Sequence, residues 1–222
     1  MTDPTDDPRR TLSGAEIEAA GLADWRHFPG VIKARFRTGS FATGLSLVDR
    51  IGAAAEEADH HPDLMLTYPA VTVTLSSHDV GGITSRDVDL ARRVSELAAE
   101  LSCQPDPASL VVVELGLDTW AAPQVRPFLT ALLGGSRDDM EIVDPEGTAP
   151  TIWFQQTEEH ETPRQRWHLD VWVAPEQGLA RVEAVVAAGG RLVDDAAAPS
   201  FWVLEDTQGN RACVCTSADR TG

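Results

Sequence analysis

Three histidines lie close together in this chain with carboxylates around them. The run is Glu57-Ala-Asp59-His60-His61-Pro62, then Tyr68, then Ser77-His78, then Gly82-Ile83-Thr84 and Asp87. Imidazole titrates near neutrality, so such a group can deliver and remove protons at cell pH. Asp87 could orient an imidazole or bind at the edge of a substrate. Two other uses of these residues stay open. His60 and His61 could be the solvated end of a helix, favoured by its dipole. A zinc site could be drawn from His60, His61 and His78 with Asp59 or Asp87, although adjacent histidines on one turn rarely both reach one metal. His27 lies outside the pattern and reads as a surface residue.

The elements that must position these groups follow from patterning. Val31 to Thr38 alternates, with Ile32, Ala34 and Phe36 on one face, and predicts a strand. Ser40 can cap a helix to about Asp59, with Phe41, Leu45, Val48 and Ile51 as its apolar stripe, and Pro62 ends it. Val71, Val73 and Leu75 predict a second strand. Thr84 or Ser85 caps a second helix with Asp87 in its first turn and Val88, Ala91, Val94, Leu97 and Leu101 as its stripe. His60 and His61 then sit where helix gives way to loop, and His78 ends a strand. The economical arrangement is an antiparallel sheet with helices on one face.

The remainder contains an internal repeat. Its first half reads strand (Leu110–Leu115), helix ending Leu133-Gly134-Gly135, strand, Asp144-Pro-Glu-Gly147, strand. Its second half reads strand (His168–Val173), helix ending Ala188-Gly189-Gly190, strand, Asp206-Thr-Gln-Gly209, strand. Gly pairs suit helix ends, and Asp-x-x-Gly suits hairpin turns. Two such halves suggest a pseudo-twofold pair sharing one sheet. Strand parity puts His168, Asp170 and Trp172 on one face, and Trp153 and Gln155 alternate similarly. A cup lined by Trp, His, Asp and Cys would suit an organic ligand.

The length, 222 residues, suits two domains. We expect a disordered leader over 1–10, a first domain over 11–103, a linker over 104–108 and a second domain over 109–217. Net charge is −17, with 16 acids against 10 bases in residues 1–105 and 19 against 8 in 106–222. With no basic stripe in either half, nucleic-acid binding is not expected. No apolar run approaches the roughly 20 residues of a membrane helix, and residues 1–10 lack the apolar core of a secretion signal. A cytoplasmic location with no membrane partner is therefore expected, as is a homo-oligomer. Three cysteines read as reduced thiols, Cys213 and Cys215 being too close along a strand to bond comfortably.

The run from Glu57 to Asp87 resembles the signature of the pterin-4a-carbinolamine dehydratases. In that family Asp-His-His-Pro, a Tyr, a Thr-His and Gly-(Ile/Leu)-(Thr/Ser)-x-x-Asp occur at these spacings. The likeness covers about residues 11–101, takes in Trp25 and the strand carrying Phe36, and departs at Ser77, where Thr is usual and a hydroxyl remains. The resemblance implies an α+β fold and a hydro-lyase, 4a-hydroxytetrahydrobiopterin dehydratase, of tetrahydrobiopterin biosynthesis. It would act on a small-molecule pterin without cofactor or metal. His60, His61 and His78 would be the catalytic set, with Asp87, Ser77 and Asp59 binding substrate. Which imidazole is acid and which base stays open. Proteins resembling this domain can also act as binding partners, so a non-enzymatic ligand- or partner-binding protein is the alternative.

The repeated half resembles the vicinal-oxygen-chelate superfamily, the glyoxalase/bleomycin-resistance fold, built from paired βαβββ modules. Leu132-Leu133-Gly134-Gly135, Thr151-Ile-Trp-Phe-Gln-Gln156, His168-Leu-Asp170-Val and Asp206-x-x-Gly209-Asn-Arg-x-Cys213 carry the likeness. Metal enzymes of that superfamily place His or Glu on the first strand, a middle strand, the strand opening the second half and the last strand. Here His168 matches the third position, Cys213 falls on the last, and the first strand offers Val111 or Val113. No metal is expected on that count, and the ligand stays unnamed.

Overall fold

The computed structural model describes residues 7–133, 141–143, 150–159, 167–205 and 211–219. The chain divides into two compact units, residues 1–110 with 219–222, and residues 111–218.

In the first unit, α1 (Gly14–Ala19) leads into β1 (Trp25–Phe28) and β2 (Val31–Arg37). Then come α2 (Phe41–Ala58), β3 (Asp63–Thr67), β4 (Ala70–Leu75), α3 (Ser85–Glu100) and the short β5 (Gln104–Pro105). The sheet is antiparallel in the order β1-β2-β4-β3, with β5 also on β2. Ile32, Ala34 and Phe36 of β2 and Val71, Val73 and Leu75 of β4 face one side and are buried in one cluster with Leu47, Ile51, Leu90, Ala91 and Val94 of the two long helices. Ser40 and Thr84 cap those helices as expected, each hydroxyl accepting from a backbone N–H of the first turn.

The apolar stripe expected for α2 is corrected. Phe41 and Leu45 are half exposed, and the buried face is Gly44, Leu47, Ile51 and Ala55. Gly44 faces β3: a Cβ there would lie 2.6 Å from Leu66 Cδ1, so a larger residue would require the Leu66 side chain to move. Three elements without a strong sequence period, α1, β1 and β3, complete the unit. His27, expected at the surface, lies on β1 opposite Ile32, on the side of Trp25 that faces the core, and is half-buried. Burial pushes its imidazole below the ordinary histidine value. The expected linker is also corrected at its start. Gln104 and Pro105 pair with β2, and Arg35 Nη1 donates to Asp106 Oδ2 at 2.9 Å. Of the expected leader, residues 1–6 lie outside the described residues. Arg9 and Arg10 reach Asp79 and Glu16.

The second unit runs β6 (Val111–Thr119), α4 (Ala122–Leu133), β7 (Glu141–Ile142) and β8 (Ile152–Gln156). Its second half is β9 (Trp167–Val173), α5 (Gly178–Ala187), β10 (Arg191–Asp194), β11 (Phe201–Glu205) and β12 (Arg211–Cys215). The strands form one sheet in the order β10-β11-β12-β9-β6-β8-β7. The two opening strands, β6 and β9, pair antiparallel at the centre, and each has the closing strand of its own half parallel on its other side. That is the pseudo-twofold arrangement the repeat predicted. Each half keeps its own small core. One is Leu117, Ile142, Ile152 and Phe154; the other is Val173, Val182, Trp202, Leu204 and Val214. Gly189, with φ of 99°, closes α5 as the Gly-Gly pair suggested. Gly134-Gly135 and both Asp-x-x-Gly segments, 144–147 and 206–209, fall outside the described residues.

Candidate functional site

The site in the first unit begins where α2 stops. Asp59 takes the left-handed conformation (φ 47°). Its N–H donates to Glu56 O at 3.3 Å, and the His60 N–H donates back to Ala55 O at 3.1 Å. This is the paired closure of a Schellman turn. It turns His60 inward and leaves His61 outside: His60 is 7% exposed, whereas the His61 side chain lies in solvent beside Glu56, with 3.2 Å between Nε2 and Oε1.

The start of α3 supplies the partner. Asp87 is the third residue of the helix and forms a capping box with Thr84. It is fully buried. Its Oδ2 accepts from the Thr84 N–H (2.7 Å), the Ser77 hydroxyl (2.7 Å) and the Thr84 hydroxyl (3.3 Å). Its Oδ1 lies 2.7 Å from His60 Nε2. An oxygen that accepts three donors belongs to an ionised carboxylate, and the positive end of the helix dipole favours that charge. His60 Nε2 then carries a hydrogen, and Nδ1 is the nitrogen left to exchange protons. The arrangement fixes one imidazole in one orientation and tautomer, the requirement for a positioned acid or base.

The last turn of α2 and the first turns of α3 bound a cleft of about 420 Å³ lined by Glu57, His60, Arg86, Asp89, Leu90 and Arg93 among others. Arg86 is held by Asp79 at 2.7 Å. Of the three expected catalytic histidines, only His60 lines this cleft. His78 follows the buried Ser77 but is itself exposed. Of the residues expected to bind substrate, Asp87 is buried against His60, Ser77 is buried and donates to Asp87, and Asp59 forms the left-handed turn that precedes His60. Thr84 belongs to this network too; the sequence reading used it as a helix cap alone.

The second unit gathers a different set on the sheet face opposite its two cores. Register puts Glu114, Asp170 and Cys213 side by side on β6, β9 and β12, with Trp153, Gly116 and His168 in the neighbouring row. The facing position on the first strand is thus Glu114, and the expected Val111 or Val113 is corrected by the observed parity. Trp153 Nε1 donates to Asp170 Oδ2 at 2.8 Å, and Trp172 Nε1 donates to Glu114 Oε2 at 2.7 Å. His168 Nδ1 lies 3.5 Å from Asp118, and Nε2 lies 3.6 Å from Asp170. Among the described residues, His168, Asp170 and Cys213 bring three potential metal donors within 4.8 Å of one another. The sequence comparison counted only His168.

Known proteins agree with both halves. Residues 10–97 match the family described as Pterin 4 alpha carbinolamine dehydratase, and residues 114–215 match a glyoxalase-like domain. A protein of Nocardia farcinica named "Putative pterin-4-alpha-carbinolamine dehydratase" is 45% identical over 89 residues, 39% of this chain and 94% of that protein. One of the same name from Thermosynechococcus vestitus is 44% identical over 89 residues, with the same coverage. A solved structure described as a transcriptional coactivator/pterin dehydratase from Brucella Melitensis is 29% identical, covers 40% of this chain and 99% of that one, and gives a TM-score of 0.39. The relatives in Nocardia and Thermosynechococcus are spanned almost whole, so the chain belongs to the pterin-4-alpha-carbinolamine dehydratase family, its domain here joined to a glyoxalase-like one.

Proposed function

We propose that the first unit is a 4a-hydroxytetrahydropterin dehydratase, a hydro-lyase that forms quinonoid dihydropterin and water. The observation that carries this reading is the His60–Asp87 pair, an imidazole locked by a buried carboxylate at a cleft. The substrate has a hydroxyl on C4a beside the N5–H. A proton is delivered to the hydroxyl oxygen, the C4a–O bond breaks with its electron pair leaving on water, and N5 gives up its proton as the C4a=N5 bond forms. His60 exchanges one of these protons through Nδ1, and the exposed His61 and His78 supply the partner for the other. Each transfer is worth roughly 10²–10⁴-fold. No step needs a metal or cofactor.

In this reading residues 11–103 form the catalytic domain and 109–217 a ligand-binding domain. The protein works in the cytoplasm in tetrahydrobiopterin metabolism, as a homo-oligomer. The exposed Phe41, Leu45, Met65 and Tyr68 support the last point. Among the described residues no helix is long and apolar enough to cross a membrane.

The test is turnover of a synthetic 4a-hydroxytetrahydropterin by the full chain, followed by absorbance in the presence of a metal chelator. Dehydration faster than in buffer is expected. A folded protein giving no acceleration would overturn the reading and leave the first unit as a ligand- or partner-binding module.

A further inference from the structure

We propose that Ser77 is a positioning residue that sets two imidazoles, His60 and His78, in one frame. What the two rings do there rests on the dehydratase reading; the linkage through Ser77 does not.

The hydroxyl makes one half of the linkage. Ser77 is 1% exposed and follows β4 by two residues. Its Oγ donates to Asp87 Oδ2 at 2.7 Å, and Oδ1 of the same carboxylate lies 2.7 Å from His60 Nε2. A carboxylate engaged on both oxygens cannot rotate without losing a charge-assisted bond. Thr84 Oγ1 stands 2.8 Å from Ser77 Oγ and 3.3 Å from Asp87 Oδ2, so its one hydrogen is shared between them. Thr84 Oγ1 in turn accepts from the Arg86 N–H at 3.2 Å and the Arg86 Nε–H at 3.3 Å. The donors thus run one way, from Arg86 through Thr84 and Ser77 to Asp87, and bonds in such a chain polarise and strengthen one another.

The main chain makes the other half. The Ser77 N–H donates to Gly82 O at 2.8 Å, and Ser77 O accepts from the N–H groups of Val80 at 3.1 Å and Gly81 at 3.0 Å. These bonds close the turn 77–82, which carries His78 and Asp79, and Gly81 supplies the φ of 67° that brings the chain back. Asp79 leaves that turn to hold Arg86 at 2.7 Å, at the wall of the cleft. The His78 ring is exposed and, among the described residues, has no hydrogen-bond or ion-pair partner. The turn alone therefore sets where that ring starts. A residue whose hydroxyl fixes Asp87 and whose backbone fixes the His78 turn cannot shift for one ring and stay in place for the other.

Substitutions separate the two halves. Ser77→Ala keeps the backbone bonds and loses the tie to Asp87, which retains the Thr84 N–H and hydroxyl as donors. Ser77→Thr keeps both halves. Ser77→Cys fills the same space with a weak donor and serves if the alanine variant does not fold.

The experiment uses full chains with isotope-labelled histidine, read by NMR, and steady-state turnover of a synthetic 4a-hydroxytetrahydropterin. In Ser77→Ala the ring signals of both His60 and His78 should move, those of His27 and His168 should not, and Ser77→Thr should match the parent. Turnover by Ser77→Ala should show kcat lower by roughly 10–100-fold with little change in KM, and Ser77→Thr should restore it. Unmoved His60 and His78 signals, movement of His60 without His78, or a parental kcat in Ser77→Ala would each overturn the proposal. The ring signals do not depend on turnover, so a failure of the dehydratase reading and a failure of this linkage are told apart.

Discussion

In the first unit His60 Nε2 meets a carboxylate at 2.7 Å, and in the second the two ring nitrogens of His168 lie 3.5 and 3.6 Å from two carboxylates. The elements around them explain the contrast. Asp87 sits at a helix start, where the capping geometry and two hydroxyls draw it into a closed network. Asp170 sits mid-strand on an open sheet face, where cross-strand spacing sets its distance from neighbours. A short contact uses up the hydrogen-bonding capacity of one nitrogen and steers proton exchange to the other. A contact near 3.6 Å is too long for a hydrogen bond and sets no such lock. The same residue pair thus fixes the ring in one unit and leaves it without that lock in the other.

The largest expected effect tests whether the short contact marks the proton-moving group. His60→Ala should lower kcat by about 10²–10⁴-fold in steady-state turnover. His61→Ala and His78→Ala remove exposed rings and should cost less, with His61→Ala acting mainly on KM. A larger kcat loss in either exposed variant than in His60→Ala would break the comparison.

Removing the carboxylates comes next. Asp87→Ala deprives the Ser77 hydroxyl, the Thr84 N–H and His60 Nε2 of their acceptor in a buried place. At about 1–3 kcal/mol for each stranded donor, less non-additivity, the first unit should lose about 3–5 kcal/mol. Asp170→Ala strands the Trp153 N–H and should cost the second unit less, about 1–3 kcal/mol. Urea denaturation followed by hydrogen exchange in each unit measures both, and equal losses would count against the distinction.

Much of this was legible in sequence where one residue's chemistry decides an outcome. Ser40 and Thr84 announce helix starts because their hydroxyls satisfy orphan N–H groups, and alternation fixes β2 and β4 because one face must be buried. The repeat exposed the twofold plan of the second unit. What stayed hidden depends on approach between elements. The face α2 buries includes Gly44, packed toward Leu66, which helical period alone misjudges by favouring Phe41 and Leu45. Asp87 could be read as either orienting or substrate-binding until its three donors were seen. Glu114 was missed because the parity of β6 relative to β9 is set by pairing register, which no local pattern encodes.

His27 offers the smallest and most specific test, since it is an imidazole half-buried on the core side of β1 with burial as the cause of its shift. Burial penalises the charged ring, so its folded-state pKa lies below its unfolded value of about 6.5. Between those two values the unfolded chain binds more protons than the folded one. His27 therefore costs the first unit nothing above about pH 6.5 and destabilises it progressively as pH falls toward the lower folded value. The slope for one such group cannot exceed about 1.4 kcal/mol per pH unit, and a half-buried ring should show a fraction of that. His27→Gln keeps a polar side chain and cannot titrate. Hydrogen exchange of the β1–β2 amides, which reports on the first unit alone, should show the parent losing more protection than the variant between pH 6.5 and 5. His60 is unchanged in both proteins and drops out of the difference. Identical pH profiles would mean that the His27 ring reaches water when charged. An imidazole with no carboxylate would then be indifferent to acid in this fold, and carboxylate distance alone would separate the histidines of the two units.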